Sequence, residues 1–345
     1  MTARCIRIFL LLALAALHAW GALTITTASP LPGGTVGVPY SQVLQATGGT
    51  PPYTWTSTSV PAGLTLSSNG TLSGTPTATG TSSIVVTVTD SAVTTAPNTG
   101  SANLSLTINA LPTLTLTGLP TTANQQALFT ASLSSPFPLA LSGTLTLTSA
   151  PAVGVDDPNI QFVQSGAASG SRQVAFTIAA GSTVALFANG TTRIATGTVA
   201  GTITITPSAL SYGNSQSIPA SPPSTITIRA TPPVITRVAI TGVSGGFNIA
   251  VTGYSTPRDM TSAQFHFTPT TGTNLAATDV TVPLNTAFIN WYASSASNAF
   301  GSEFTVTVPF TFVVSTGPVS IAPVAALTVT LTNSAGTSNP VAGNP

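Results

Sequence analysis

Leu327-Thr328-Val329-Thr330-Leu331-Thr332 alternates an aliphatic residue with a threonine through six positions. Successive side chains of an extended strand point to opposite faces, so this stretch buries Leu327, Val329 and Leu331 and turns its threonines to water. The same period recurs in Leu104-Ser105-Leu106-Thr107-Ile108, Leu114-Thr115-Leu116-Thr117, Thr144-Leu145-Thr146-Leu147-Thr148 and Thr202-Ile203-Thr204-Ile205-Thr206. Threonine suits the outer face because its β-branched stem favours extended backbone while its hydroxyl stays hydrated. Gly, Pro and Asn interrupt these runs at short intervals. The pattern predicts an all-β chain of antiparallel β-sandwiches, with no helix beyond the N-terminal leader.

Two joints divide the chain. Asn109-Ala110-Leu111-Pro112 and Ala230-Thr231-Pro232-Pro233 each follow one alternating run and open another. The predicted sandwiches are therefore 22–109, 112–230 and 232–335, with 336–345 as a flexible tail. Joints this short, stiffened by proline, predict tandem modules set end to end as a semi-rigid rod.

Residues 1–21 read as a secretory signal helix. Arg4 and Arg7 precede an apolar run over 8–17, and Ala19-Trp20-Gly21 places small residues for cleavage before Ala22. The apolar run is short for a membrane span of about 20 residues, and no second run of spanning length follows. The expectation is a protein secreted or held at the cell surface, with no integral span after cleavage.

Charged residues make up 4% of the chain, against a usual ~25%. There is no lysine, and beyond the leader five arginines face six acids, a net charge of −1. That excludes electrostatic nucleic-acid binding, which needs clustered Lys and Arg. Cys5 lies in the leader, so no disulfide supports the mature fold. Candidate acids, bases and nucleophiles are few and scattered, which argues against an enzyme. A surface with so little charge tends to associate.

The first unit carries a longer signature. It reads Tyr40-Ser41-x-x-Leu44-x-Ala46-x-Gly48-Gly49-Thr50-Pro51-Pro52-Tyr53-Thr54-Trp55, then Pro61-x-Gly63-Leu64-Thr65-Leu66, Gly70-Thr71-Leu72-Ser73-Gly74-Thr75-Pro76 and Val85-Val86-Thr87-Val88-Thr89-Asp90-Ser91. Read by residue type, these are turn signals around a strand whose Trp55 fills a sandwich centre. The signature closely resembles a bacterial immunoglobulin-like (Ig-like) domain family related to the dystroglycan-type cadherin-like domains. The resemblance implies an exported spacer, adhesion or display module, and further bacterial Ig-like modules after it. Cadherin-like relatives bind calcium at domain junctions through clustered acids. Asp90 ends a strand near such a place, but no Asp-x-Asp run accompanies it, and calcium needs six to eight oxygens.

Other polar residues offer alternatives. Asp156-Asp157-Pro158-Asn159 is the only acidic pair and could help hold calcium, although the residue types favour an Asx-type turn. Ser255, His266 and Asp259 can be written as a triad, but Gly-x-Ser-x-Gly does not surround Ser255. A turn at Arg258-Asp259 with His266 facing solvent fits better. Three Asn-x-Ser/Thr matches, at Asn69, Asn103 and Asn189, arise by chance in so threonine-rich a chain. Phe288, Trp291, Tyr292, Phe300 and Phe304 form the densest aromatic region. On a strand, Trp291 and Tyr292 would face opposite ways, the outward one a candidate ligand-binding aromatic.

Together these residues point to a non-catalytic, exported, Ig-like structural, adhesion or display protein that self-associates. The alternative is a carbohydrate- or protein-binding module of the cell surface, with Trp291 and Tyr292 at the ligand and calcium at Asp90, Asp156 or Asp157 as a possible aid. No other cofactor is implied.

Overall fold

Alternation in the sequence becomes alternation in burial. In the strand Val324–Asn333, Leu327, Val329 and Leu331 are buried and the threonines between them are partly exposed. The computed structural model describes residues 22–92, 98–166, 169–213, 216–273, 275–311 and 324–343, so the leader lies outside the described residues. The chain divides into two compact units, Met1–Leu111 and Pro112–Pro345. The fold is all-β, built of β-sandwiches in tandem.

In the first unit, Gly34–Thr35, Thr99–Asn109, Gly80–Thr89 and Thr54–Ser57 form one sheet in that order. Tyr40–Val43, Thr71–Gly74 and Leu64–Leu66 form the facing sheet. Ile84, Val86, Val88, Leu104, Leu106 and Ile108 meet Trp55 and Leu72 between the layers. Each such side chain contributes about 1.5–3 kcal/mol when fully buried. Trp55 is therefore core, and Tyr53 and Tyr40 are tied down by hydrogen bonds from their hydroxyls to the carbonyls of Gly48 (2.6 Å) and Pro32 (3.0 Å). The Pro61-x-Gly63-Leu64 motif needs its glycine. Gly63 has φ +87°, and a Cβ there would run into the Thr75 carbonyl.

The second unit holds two sandwiches. In one, Leu141–Pro151 pairs with Gln173–Ile178 on one side and Gly201–Pro207 on the other, burying Leu145, Leu147, Ile203 and Ile205. Thr192–Thr196 runs between Gln126–Leu128 and Ile160–Gln164 in a facing sheet. In the other sandwich, Val234–Val243, Gly246–Tyr254 and Glu303–Thr311 form one sheet. Ser262–Pro269 lies between Asp279–Pro283 and Val324–Asn333 in the other. Their core includes Ile249, Val251, Phe265, Val329 and Leu331.

Two expectations are corrected. Residues 285–300 are helical: α1 (Asn285–Ala293) is followed by a 3-10 turn, Ser295–Phe300. Phe288, Trp291 and Tyr292 are spaced i, i+3, i+4, the period of a helix face, so strand alternation does not apply to them. Residues 336–343 are not a flexible tail. Asn333 Oδ1 accepts from the N–H groups of Ala335 (2.8 Å) and Gly336 (3.1 Å), turning the chain back. Gly336–Thr337 and Val341–Gly343 then pair with Val324–Asn333.

Gly63→Ala should lower the stability of the first unit by at least about 2 kcal/mol, since left-handed strain and a backbone clash add. Gly37→Ala, at φ +75° but with no neighbour in reach, should cost only the strain of about 1 kcal/mol. Urea unfolding of the two variants checks this; equal losses would show that the Gly63 approach is not tight.

Candidate functional site

Helix α1 and the turn after it lean over the strand Glu303–Thr311 and leave a cleft of about 540 Å³. Phe288, Trp291 and Phe300 form its aromatic wall, and Phe304 and Val306 add apolar surface. Thr252, Glu303, Thr305 and Thr307 supply the polar side. Thr252 and Thr305 are register partners on adjacent strands, their hydroxyls 3.0 Å apart. Phe288 is locked edge-on against Phe304, centroids 4.8 Å apart. Phe300 is 48% exposed and lies 6.1 Å from the Trp291 ring at an interplanar angle of 36°. The Trp291 Nε1–H is buried without an acceptor among the described residues. Burial raises the Glu303 carboxyl above the usual range, and the charge of Asp157 adds to the effect.

The wall is held from behind by the neighbouring sandwich. Asp157 is fully buried; its carboxylate accepts from the N–H groups of Asn159 (2.9 Å) and Thr198 (2.6 Å) and from the Thr198 hydroxyl (3.2 Å). Thr198 Oγ1 accepts from Ser302 N–H at 2.9 Å, and the Ser302 hydroxyl donates to the Thr198 carbonyl at 2.7 Å. Gly301, with φ +61°, passes so close to the Asp157 carboxylate that a Cβ would collide with it. Arg258, 5% exposed and at φ +58°, donates to the Tyr292 carbonyl (3.3 Å) and Ser297 hydroxyl (3.1 Å). Its guanidinium lies 5.0 Å from the Tyr292 ring centroid, and a Cβ on Gly154 of the neighbouring sandwich would crowd it. Burial lowers the Arg258 pKa, against Tyr292 and Asp157, which raise it. Burial also pushes the Tyr292 phenol far up; its hydroxyl donates to the Ser302 carbonyl at 2.7 Å.

The predicted site residues thus separate. Trp291 lines the cleft; Tyr292, on the same helix, faces the junction instead. Asp156 is exposed and ion-paired with Arg172 at 3.0 Å. Its neighbour Asp157 is buried in an Asx turn. Asp90 is buried and accepts from Thr50 N–H (3.0 Å), Asn98 N–H (2.9 Å), the Asn98 amide (2.9 Å) and Ala92 N–H (3.4 Å). The residues present do not make a calcium cage. N–H and O–H donors occupy the Asp90 and Asp157 carboxylates, and no three His, Cys, Asp or Glu come together among the described residues. His266 is exposed and pairs with Asp279 at 2.9 Å. Ser255 is fully buried, donating to the Asp259 carbonyl and accepting from Asn333. No hydrogen bond links the imidazole to that hydroxyl. Glu303 and the threonines of the cleft were not foreseen, whereas Phe300 belonged to the aromatic region singled out in the sequence; the i, i+3, i+4 spacing within that region is the signal for its helix.

Residues 22–109 match the family described as "Putative Ig domain". That quarter of the chain is similar to this family. No curated protein matches the chain. Among solved structures, the I9–I11 tandem of titin aligns at 12% identity and TM-score 0.32, covering 93% of this chain and 97% of that one. The FN1–FN3 domains of chicken CNTN1 align at 12% identity and TM-score 0.22, covering 92% and 99%. Protocadherin gammaB7 EC3-6 aligns at 11% and 0.24, covering 92% and 72%. Scores this low are a loose likeness and carry nothing about role.

Asp157→Asn should destabilise the second unit by about 2–3 kcal/mol, because an amide N–H₂ then faces buried N–H donors. Asp156→Asn removes only an exposed ion pair and should cost less than about 1 kcal/mol. Urea unfolding compares the two, and equal effects would mean that the junction is not held through Asp157. Asp90 carries a pH signature. The Asn98 amide, and then the backbone N–H groups, hold its carboxyl below the usual range against burial, which raises it. The stability this adds is complete above about pH 4, the unfolded value, and is lost as pH falls through the lower folded value. In acid titrations of stability, Asp90→Asn should remove part of that fall; an unchanged profile would show that Asp90 is not coupled to folding.

Proposed function

We propose that this chain is a non-catalytic extracellular protein, an adhesion or display scaffold of Ig-like modules that binds its partner through the cleft beside α1. The observation that carries this reading is the cleft itself. A cavity of this size, mostly apolar with a few converging polar groups, is the usual form of a binding site. It is also built on the one helical insertion among the described residues. Glu303 is the sole ionisable group lining it among those residues, which supports binding over acid–base chemistry.

A second reading, self-association, has its own support. Val184 (53% exposed) and Leu186 (62%) flank buried Ala185, so both point outward beside the sheet-edge strand Ala185–Phe187. Exposed edges with apolar side chains invite pairing with a second chain.

Labelled residues 22–345 should be retained on at least one member of a panel of polysaccharides and extracellular-matrix proteins, and Phe300→Ala should reduce the retention. Retention that ignores Phe300→Ala, or none at all, removes the cleft as the functional site. Sedimentation velocity separates the second reading. Concentration-dependent growth abolished by Leu186→Asp supports it, and a strict monomer ends it.

A further inference from the structure

The lining of the cleft restricts the chemistry of what it takes, on the reading that it is a binding site. Charge comes first. Among the described residues no arginine or histidine lines it, and Glu303 is its only ionisable group. Arg258, the buried cation nearby in the fold, does not line it and donates to Tyr292 and Ser297. A phosphate, a carboxylate or an acidic sugar would meet one carboxyl and no counter-charge, so anionic ligands are disfavoured.

Hydroxyls come second. Glu303, Thr305 and Thr307 are alternate residues of one strand and project from one face, about 6.6 Å apart. Thr252 extends this row onto the next strand. These groups are hydrated when the cleft is empty. A purely apolar occupant would strip that water and return no hydrogen bonds, at a cost for each stranded group. The ligand must therefore carry donors and acceptors of its own.

The aromatics come third. Trp291 and Phe300 offer the cleft two inclined rings, one of them half exposed. Their negative faces attract C–H groups that carry partial positive charge. Trp291 also holds an N–H with no acceptor, so the wall can gain a hydrogen bond if the ring adjusts to a bound oxygen. One ligand class combines neutrality, hydroxyls around its edge and a C–H face: the pyranose sugar. A volume of about 540 Å³ leaves room for more than one ring.

We infer that the cleft between α1 and the strand Glu303–Thr311 is a binding site for a neutral oligosaccharide. The sugar stacks on Trp291 and Phe300 and hydrogen-bonds to Glu303, Thr305 and Thr307.

The test is a titration of residues 22–345 followed by tryptophan fluorescence, in which Trp291 lines the cleft and Trp55 is buried in the first unit. The probes are neutral oligomers of glucose and of N-acetylglucosamine, an oligogalacturonate, choline and an apolar hexapeptide. A saturable change with a neutral oligomer and none with the oligogalacturonate is expected. Phe300→Ala should weaken binding about tenfold or more, as loss of a stacking ring does. Glu303→Gln, which keeps hydrogen-bonding capacity, should weaken it only a few-fold. Ile289→Ala, an exposed α1 residue outside the lining, should leave it unchanged. Circular dichroism confirms that each variant is folded. Binding of choline or the peptide alone, lost in Phe300→Ala, overturns the sugar assignment while the binding reading stands. If no probe binds and Phe300→Ala alters no retention on the panel, both fall.

Discussion

A carboxylate with no access to water organises the second unit. Burying an ionised group is prohibitive unless donors replace its hydration, and Asp157 has three of them from Asn159 and Thr198. Hydrogen bonds to a charged acceptor are stronger than neutral ones, so this side chain fixes whatever touches it. Two of its neighbours are glycines, Gly197 and Gly301, because nothing larger fits beside it. Gly301 belongs to the other sandwich. The chain of bonds from Asp157 through Thr198 to Ser302 therefore joins the two sandwiches at the start of the strand Glu303–Thr311. Further bonds, Ala200 N–H to the Thr256 carbonyl (2.8 Å) and Thr231 N–H to the Thr256 hydroxyl (2.7 Å), widen the seam. A joint that looks like a linker in sequence is a packed, polar interface.

The scarcity of charge governs how the surface is finished. Threonine hydroxyls bond to each other across paired strands at Thr81–Thr107, Thr117–Thr130, Thr252–Thr305 and Thr332–Thr337, at 2.7–3.0 Å. Cross-strand pairs of this kind stabilise sheets by a few tenths of a kcal/mol to about 1 kcal/mol each. They do the work that ion pairs do on other sheets. The same residue type then supplies the polar side of the cleft, which is why its chemistry is that of hydroxyls and aromatic rings.

Strands, turns and the Trp55 core were legible because they are local. Period-two burial, the Gly63 turn and the Asx turn at Asp157 need only neighbouring residues to specify them. Trp291 and Tyr292 were misassigned by extending strand alternation into a segment whose aromatics repeat at three and four. The strands after Asn333 were missed because their strength lies in pairing, Ser338 Oγ accepting from Leu331 N–H at 3.0 Å, and not in composition. The junction was not legible at all. Asp157 and Thr198 are 41 residues apart, and Thr198 and Ser302 are 104 apart, so nothing in either segment announces the other.

That long-range seam also explains how a β-rich chain holds a stable cleft. A short helical insertion with no side-chain cap and one buried residue has little reason to keep its place alone. Here its C-terminal half is tied down. Arg258 grips Tyr292 and Ser297, and the Tyr292 hydroxyl reaches Ser302. Arg258 does this with its Nε and Nη1 buried and unpartnered among the described residues, a cost offset in part by its stacking on Tyr292. Asp157 fixes Gly301, where the insertion returns to the sheet. Phe288 and Trp291 are thereby set against a strand that the same network has positioned. A cleft keeps its shape best on rigid elements held by a supporting layer, and in this unit the supporting layer belongs partly to the neighbouring sandwich. The two sandwiches of the second unit are one device: one carries the cleft, and the other keeps its wall in place.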